Sequence, residues 1–531
     1  MPHPQADKLI VTNLDKLTQK YQAAGAAKVK TAIDKLIAAD AGRGIVAKLI
    51  DLSDAATMSA HGGTAVSAAQ AGDAKRNKQA IDAVFTHYDP RPAYLMLVGS
   101  IDVIPHVPLD NPMGNDGDAD VPSDLPYACS QPYSTDPQHF IAPTRVVGRL
   151  PNVTGDTDPQ YLIGLLSTAA TYTKRPTTDY NDFLAISAQV WQKSSELSIN
   201  AIFGTQAGLK VSPTDGYKWT AAEARRLSHF VNCHGAPADP MFYGQKGKSN
   251  FPVAHSAAWM SGKLAPASVM SAECCYGAEL YDPVATAVGQ MGICNTYLGN
   301  QGYAYFGSST IAYGPPAAND LADLLCQTFL LQILAGASAG RACLQARLDY
   351  VMGKGGTLTP TDLKTIVQFS LMGDPSLTPV APQPHSLVVP KATARFKPKA
   401  AAAAVARHSR QSRRAGLVAQ ASATRAYRLV AAASPPGGKS SIFGKLKQLA
   451  ASLGIKAPDE IVSYSLSSPR KSSGPKSLAL DSAVAAAKPK AVHVIFERTA
   501  PPAKVPHLRL VRGVQAIEYP EGMEAQEIVS R

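Results

Sequence analysis

No stretch of this 531-residue chain approaches the ~18 consecutive apolar residues that a membrane-spanning helix needs, so no transmembrane segment is expected. The first residues, MPHPQADKLI, lack a basic region followed by an apolar stretch, so no secretory signal is read and a cytoplasmic location is expected. The seven cysteines, Cys129, Cys233, Cys274, Cys275, Cys294, Cys326 and Cys343, form no C-x-x-C pair and are odd in number. That argues against a disulfide framework and a structural zinc site, and for a reducing compartment. No G-x-G-x-x-G follows a strand and no G-x-x-x-x-G-K-[ST] occurs, which removes the nucleotide-phosphate cradles. A G-x-S-x-G elbow and an H-E-x-x-H pair are missing too. What remains is 45% apolar, enough for a large core.

Acidic residues are scarce in one region only. Between Asp374 and Asp459 there is none, and residues 385–531 carry 24 Lys+Arg against 8 Asp+Glu. The rest of the chain is slightly acidic, with 28 basic and 32 acidic residues. Residues 391–436, rich in Ala, Lys, Arg and Ser, read as a solvated linker. The tail lacks interleaved aromatics and any nucleic-acid-binding signature, so nucleic acid is not favoured as a partner. Further on, SIFGKLKQLAASLGI (441–455) has helical spacing, and IVSYSLSS, AVHVIFER and HLRLVRGVQAIEY alternate as strands do.

The body alternates buried-type strands with helical patterns. LIVTN (9–13) precedes a helix over about 14–40, expected to break near Gly25. IVAKLIDL (45–52), a helix over about 73–88, AYLMLVGS (93–100), FLAIS (183–187), LKVS (209–212), LSHFVNC (227–233), ASVMSAE (267–273) and YAYFGSS (303–309) follow. Such a pattern predicts a mostly parallel sheet covered on both faces. The expected division is an N-terminal α/β subdomain over 1–180, a catalytic α/β subdomain over 181–384, a disordered basic linker over 385–440 and a small α+β module over 441–531.

In sheets of this kind chemistry gathers at the carboxyl ends of strands. LSHFVNC runs into His234-Gly235, and ASVMSAE runs into Cys274-Cys275-Tyr276-Gly277. A thiol needs a base within hydrogen-bond reach to act as a thiolate at neutral pH, and two neighbouring strands can deliver that pair to one edge. Gly235 can leave its N–H open to a developing oxyanion. Either residue alone more often plays a structural part, since buried Cys is usually inert. His234 and Cys275 are 41 residues apart on consecutive core strands.

NCHG and AECCYG resemble the His-Gly and Q-A-C-x-G motifs of the caspase clan of cysteine peptidases. More specifically, YLMLVGSIDVIPH (94–106), SDLPY (123–127), TRVVGRLP (144–151), FVNCHG (230–235), AECCYGAELYD (272–282) and FSLMGDPSLTP (369–379) resemble the gingipain-like branch, in that family's order. The resemblance implies a caspase/gingipain-like α/β/α sandwich and endopeptidase activity on protein or peptide substrates. It requires no cofactor and allows a Ca²⁺ site whose ligands the sequence does not assign. Caspase-type grammar names Cys275 as nucleophile, whereas the gingipain spacing Cys-x-x-Gly names Cys274; Cys275 is preferred, with a strained vicinal disulfide as a hypothesis for the pair. Asp124 of SDLPY matches the acid of the S1 pocket in arginine-specific members, the competing reading being a turn cap before Pro126. Asp102, Asp118 and Asp120 are nearby acids.

With a basic residue at P1, Arg407, Arg410, Arg413, Arg414, Arg425 and Arg428 become candidate sites of self-processing, and the C-terminal module becomes a candidate intramolecular inhibitor or targeting unit. Competing readings are a catalytically silent caspase-like scaffold or binding module, a nucleic-acid-associated protein acting through its basic tail, and an unrelated α/β hydrolase or ligand-binding protein.

Overall fold

A computed structural model describes residues 5–215, 219–286, 288–354, 358–381, 428–431, 441–452, 455, 460–467, 490–503, 505–518 and 523–531. In chain order its strands are β1 (Lys8–Thr12), β2 (Ala47–Asp51), β3 (Tyr94–Val98), β4 (Val107–Asp110), β5 (Asp120–Ser123), β6 (Val146–Leu150), β7 (Phe183–Ala188), β8 (Leu209–Ser212), β9 (Ser228–Asn232) and β10 (Met241–Tyr243). They continue with β11 (Val253–Ser256), β12 (Val269–Ala272), β13 (Ala304–Ser308), β14 (Tyr313–Gly314), β15 (Phe369–Met372), β16 (Arg428–Ala431), β17 (Glu460–Ser467), β18 (Ala491–Thr499), β19 (Leu510–Glu518) and β20 (Met523–Ser530).

Ten strands form the central sheet in the order β2-β1-β3-β6-β15-β13-β12-β9-β7-β8. The first five run parallel to one another, as do the last five, and the two blocks meet at an antiparallel seam between β15 and β13. Strands drawn from residues 8–150 and from residues 183–308 thus share one sheet, closed by β15 in the middle. Central strands such as β7, β9, β12 and β13 are buried along their whole length, as apolar runs covered by helices on both faces must be.

The helix expected after β1 runs over Leu14–Gly42, with Asn13 as N-cap accepting from the Lys16 N–H. It bends at Gln22, at φ 61°, rather than at Gly25, which stays helical against Tyr21 and Pro159. A second sheet, in the order β14-β20-β19-β18-β17-β16, is wholly antiparallel. It carries the expected helix (Ser441–Ser452) and three expected strands, plus β16 and β20. Arg428–Ala431, assigned from composition to the linker, is strand β16; the rest of 385–440 lies outside the described residues. The C-terminal module does not stand apart. Its edge strand β20 pairs with β14, which belongs to the body.

Candidate active site

The carboxyl ends of β9 and β12 adjoin, because these strands pair directly and in parallel. Their register sets Val269 opposite Ser228 and Ala272 opposite Val231, an offset of 41 residues. The Glu273 N–H bonds the Val231 carbonyl at 2.8 Å, so pairing runs past the strand ends. Continued at the same offset, Cys233 faces Cys274 and His234 faces Cys275, with neighbouring backbones roughly 4.8 Å apart. Gly235 bears this out: a β-carbon there would overlap the Cys275 carbonyl oxygen. The His234 backbone is held on its other side by two bonds to Tyr243, each 2.8 Å.

Alternation sends the two thiols to different surroundings. Cys274 points into the core, its sulfur 3.7 Å from the Val231 carbonyl oxygen, and burial pushes its thiol far up. Cys275 faces the segment before β14: its thiol lies 3.6 Å from the Ala312 carbonyl and accepts from the Ala312 N–H at 3.3 Å. Burial pushes that thiol up to about 12, with the Ala312 contact pulling the other way. All seven cysteines are free, so the vicinal bridge is absent from this structure. Tyr276, directly after Cys275, sits at φ 54°, a left-handed conformation costing about 1–3 kcal/mol that recurs at functional turns.

His234 is buried between Trp191 and Phe251, with ring centroids at 4.4 and 5.3 Å. Its Nε2 meets Gln245 Oε1 at 2.7 Å. Burial lowers its pKa to about 4, against the Gln245 bond, so the imidazole is neutral here.

Beside this pair lies a pocket occupied by Arg531. The Cys275 N–H donates to the Arg531 carbonyl oxygen at 3.2 Å, and the Arg531 N–H donates to the Ala312 carbonyl at 2.9 Å. The Arg531 side chain is 0% exposed. Its Nη2 reaches both oxygens of Asp323, at 2.9 and 2.7 Å, and the Pro315 carbonyl at 3.1 Å. The guanidinium lies 4.7 Å from the centre of the Trp191 ring, the indole that also walls His234. Gly314 makes room, since a β-carbon there would strike the guanidinium. Asp323 stands in the first turn of the helix Ala322–Leu334, where the helix dipole favours a negative charge. Leu321, the N-cap residue two positions before Asp323, has φ 54° and ψ −123°, a second strained residue. Glu273 completes the floor. Burial and the charge of Asp323 push its carboxyl well above the usual range, so it holds its proton beside that neighbour.

Asp124 is not in this pocket. It forms a two-pronged ion pair with Arg149 of β6, Nε to Oδ2 at 2.8 Å and Nη2 to Oδ1 at 2.5 Å. The acid that meets a guanidinium next to Cys275 is Asp323, which the sequence reading missed, and with it the part played by Glu273. A usable signal was an aspartate within the apolar run ADLLCQTFLLQIL, where a charge is costly to bury without a partner. Asp118 lies nearer the thiol. With Asp116 it flanks the buried Lys364 at 2.7 and 2.6 Å, and it bonds the Ile311 N–H at 2.9 Å, bracing the segment that leads to β14. Asp102 pairs with Lys20. Among the described residues no group of three or more His, Cys, Asp or Glu side chains could hold a metal ion.

The comparisons agree with this architecture. The family model of peptidase family C25 matches residues 2–380, and the chain belongs to that family of gingipain-like cysteine peptidases. Among solved structures, the Arg-specific cysteine proteinase gingipain R is similar in fold, with a TM-score of 0.50 at 10% identity over 99% of each chain. The complex of the pro- and mature domains of RgpB from Porphyromonas gingivalis matches at a TM-score of 0.49 and 10% identity, over 98% of this chain and 99% of that one. A search of curated proteins gives no match.

Proposed function

We propose that this cysteine peptidase is an endopeptidase that cleaves after arginine, with Cys275 as nucleophile and His234 as its proton-transfer partner. One observation carries the reading: an arginine carbonyl rests on the Cys275 N–H while its guanidinium is paired with Asp323. In the reaction the Cys275 sulfur attacks the scissile carbonyl carbon, giving its proton to His234, which passes it to the leaving amine. The thioester left on Cys275 is then hydrolysed by water, with His234 as base. The N–H groups of Cys275 and Gly235 hold the oxyanion. Asp323 selects arginine by a charge-assisted contact, and Trp191 stacks on the guanidinium. Burial keeps both titratable groups neutral in this structure.

The test is a fluorogenic peptide with Arg at P1 given to single variants. Cys275→Ala loses roughly 10⁴-fold or more in kcat/KM, His234→Ala roughly 10²–10⁴-fold, and Cys274→Ala keeps most of its activity. A dead Cys274→Ala with an active Cys275→Ala would reverse the assignment; no activity on any Arg or Lys peptide in wild type or in Arg531→Met would favour the silent-scaffold reading.

The same specificity makes the basic segment a substrate. Arg407, Arg410, Arg413, Arg414 and Arg425 lie outside the described residues, while Arg428 begins β16 and must leave its sheet to be cut. Self-processing predicts that wild type fragments on a gel during incubation while the Cys274→Ala, Cys275→Ala double variant stays whole. Equal intact bands under conditions in which the Arg peptide is hydrolysed would exclude it.

A further inference from the structure

The cleft is filled by this chain's own strand. Arg531 projects from the end of β20, which is hydrogen-bonded on one edge to β19 and on the other to the two-residue strand β14. Ser530 is paired with Tyr313 and Val529 with Gly314, antiparallel. The Arg531 N–H then meets the Ala312 carbonyl, its carbonyl meets the Cys275 N–H, and its side chain enters the Asp323 pocket. This is how a peptide bound as an added strand would present itself to the nucleophile: main-chain bonds for affinity and one side chain in a pocket for selectivity. We propose that β20 and Arg531 are a substrate-mimicking strand that fills the non-primed half of the cleft, with Arg531 at P1, Ser530 at P2 and Val529 at P3, so that the C-terminal module holds the enzyme closed and a peptide substrate enters by replacing this strand on β14. The proposal rests on the peptidase reading above and adds to it the binding mode of the substrate and the regulation of the site.

Independent contacts clamp the module over the same region. Val505 and Leu508 pack on Ala236, Tyr243 and Phe251, the residues around His234. His507 meets Asp239 and Tyr243. Arg509 reaches the Gly117 carbonyl, Asp118 at 3.2 Å and the Tyr276 hydroxyl at 2.9 Å, next to the candidate nucleophile. Gln515 accepts from Thr361 at 2.5 Å. The Ser530 side chain turns back to its own module, donating to the Arg509 carbonyl at 3.1 Å and accepting from the Val511 N–H at 2.9 Å. The P2 side chain therefore needs nothing from the body, and a substrate would be selected chiefly at P1. Tethering raises the local concentration of the strand far above that of a free peptide.

The test uses the full chain, a fluorogenic peptide with Arg at P1, and an arginine-containing peptidyl acyloxymethyl ketone that labels a reactive cysteine. Arg531→Met keeps the length of the side chain and removes its charge. It is expected to speed labelling and hydrolysis about tenfold or more, and the free peptide EAQEIVSR is expected to reverse the gain competitively. Arg531→Lys, which leaves a cation against Asp323 and so guards against misfolding, is expected to fall between. Equal rates in wild type and both folded variants, with no competition by the peptide, would overturn the proposal. Failure of the peptidase reading looks different. If nothing is hydrolysed or labelled but fluorescent EAQEIVSR binds Arg531→Met and not wild type, the strand's occupancy stands and the catalysis falls; if the peptide binds neither, the occupancy falls.

Discussion

Two arginines with no exposed surface, Arg149 and Arg531, meet aspartates, and they are held differently. Arg149 in β6 uses every nitrogen of its guanidinium: Nε and Nη2 on Asp124, and Nη1 on the carbonyls of Gly99 and Ile104, each at 2.8 Å. Among the described residues Arg531 makes its side-chain hydrogen bonds through Nη2 alone, and its Nε and Nη1 have no partner there. Both side chains are 0% exposed, so burial does not separate them. Satisfaction does. A fully bonded arginine on a central strand ties the segments after β3 and β5 to β6 and has no reason to leave. A partly bonded one, on a strand from another sheet, sits in its pocket as a guest. Charge-assisted pairing is thus a strut in one block of the sheet and a recognition device in the other.

Substituting the two aspartates breaks the comparison most directly. Asp323→Asn leaves the guest without its counter-charge, and removing one member of a buried pair costs about 2–5 kcal/mol. Read in the Arg531→Met background, so that release of the guest does not offset it, the expected result is a fall of roughly 100-fold or more in kcat/KM for Arg substrates, with a much smaller change for an uncharged P1 residue. Asp124→Asn strips the strut. Stability should drop by about 3–5 kcal/mol, read from the urea midpoint, while kcat/KM per folded molecule holds. If Asp124→Asn shifted P1 preference and Asp323→Asn did not, the assignment of the pocket would be reversed.

The reasons why one pair was legible in the sequence and the other was not are physical. Strand ends could be read because apolar runs stopping at His-Gly and Cys-Cys-Tyr-Gly are local features, and the separation of 41 residues between His234 and Cys275 turned out to be the register offset of β9 and β12. The C25 framework could be read from six short segments in order. The pocket acid could not, because its role depends on a helix start brought beside Glu273 and Arg531, residues far from Asp323 in sequence. Asp124 lies in the more recognisable motif, yet Arg149, in another of those motifs, neutralises it. The strand β20 also escaped notice: MEAQEIVS alternates, but its charges suggest an exposed edge, and β14 is only two residues long. Between Cys274 and Cys275 the sequence motifs disagreed, and alternation at the end of β12 separates the two thiols in space.

The smallest expected effect concerns Glu273, and it gives the two regions opposite responses to pH. Burial and Asp323 raise the Glu273 carboxyl. Below about pH 4.5 the folded and unfolded chains both hold this proton, and the contribution is at its fullest. As pH rises, the unfolded chain releases it first, so stability drains away through the neutral range toward the folded-state value. Asp124 behaves in reverse. Burial opposes its ionisation, but Arg149 overrides that and holds the carboxyl below its ordinary value, so its contribution is present above about pH 4 and fades as pH falls further. Glu273→Gln keeps the shape and a donor toward Asp323 while removing the titration. Its stability relative to wild type should therefore improve between pH 5 and pH 8, by at most about 1.4 kcal/mol per pH unit, with little change in kcat/KM at neutral pH. Urea midpoints at the two pH values measure this. A gap between variant and wild type that stays flat across that range would mean that Glu273 is already ionised in the folded protein, and that the pocket meets its arginine with two negative charges rather than one.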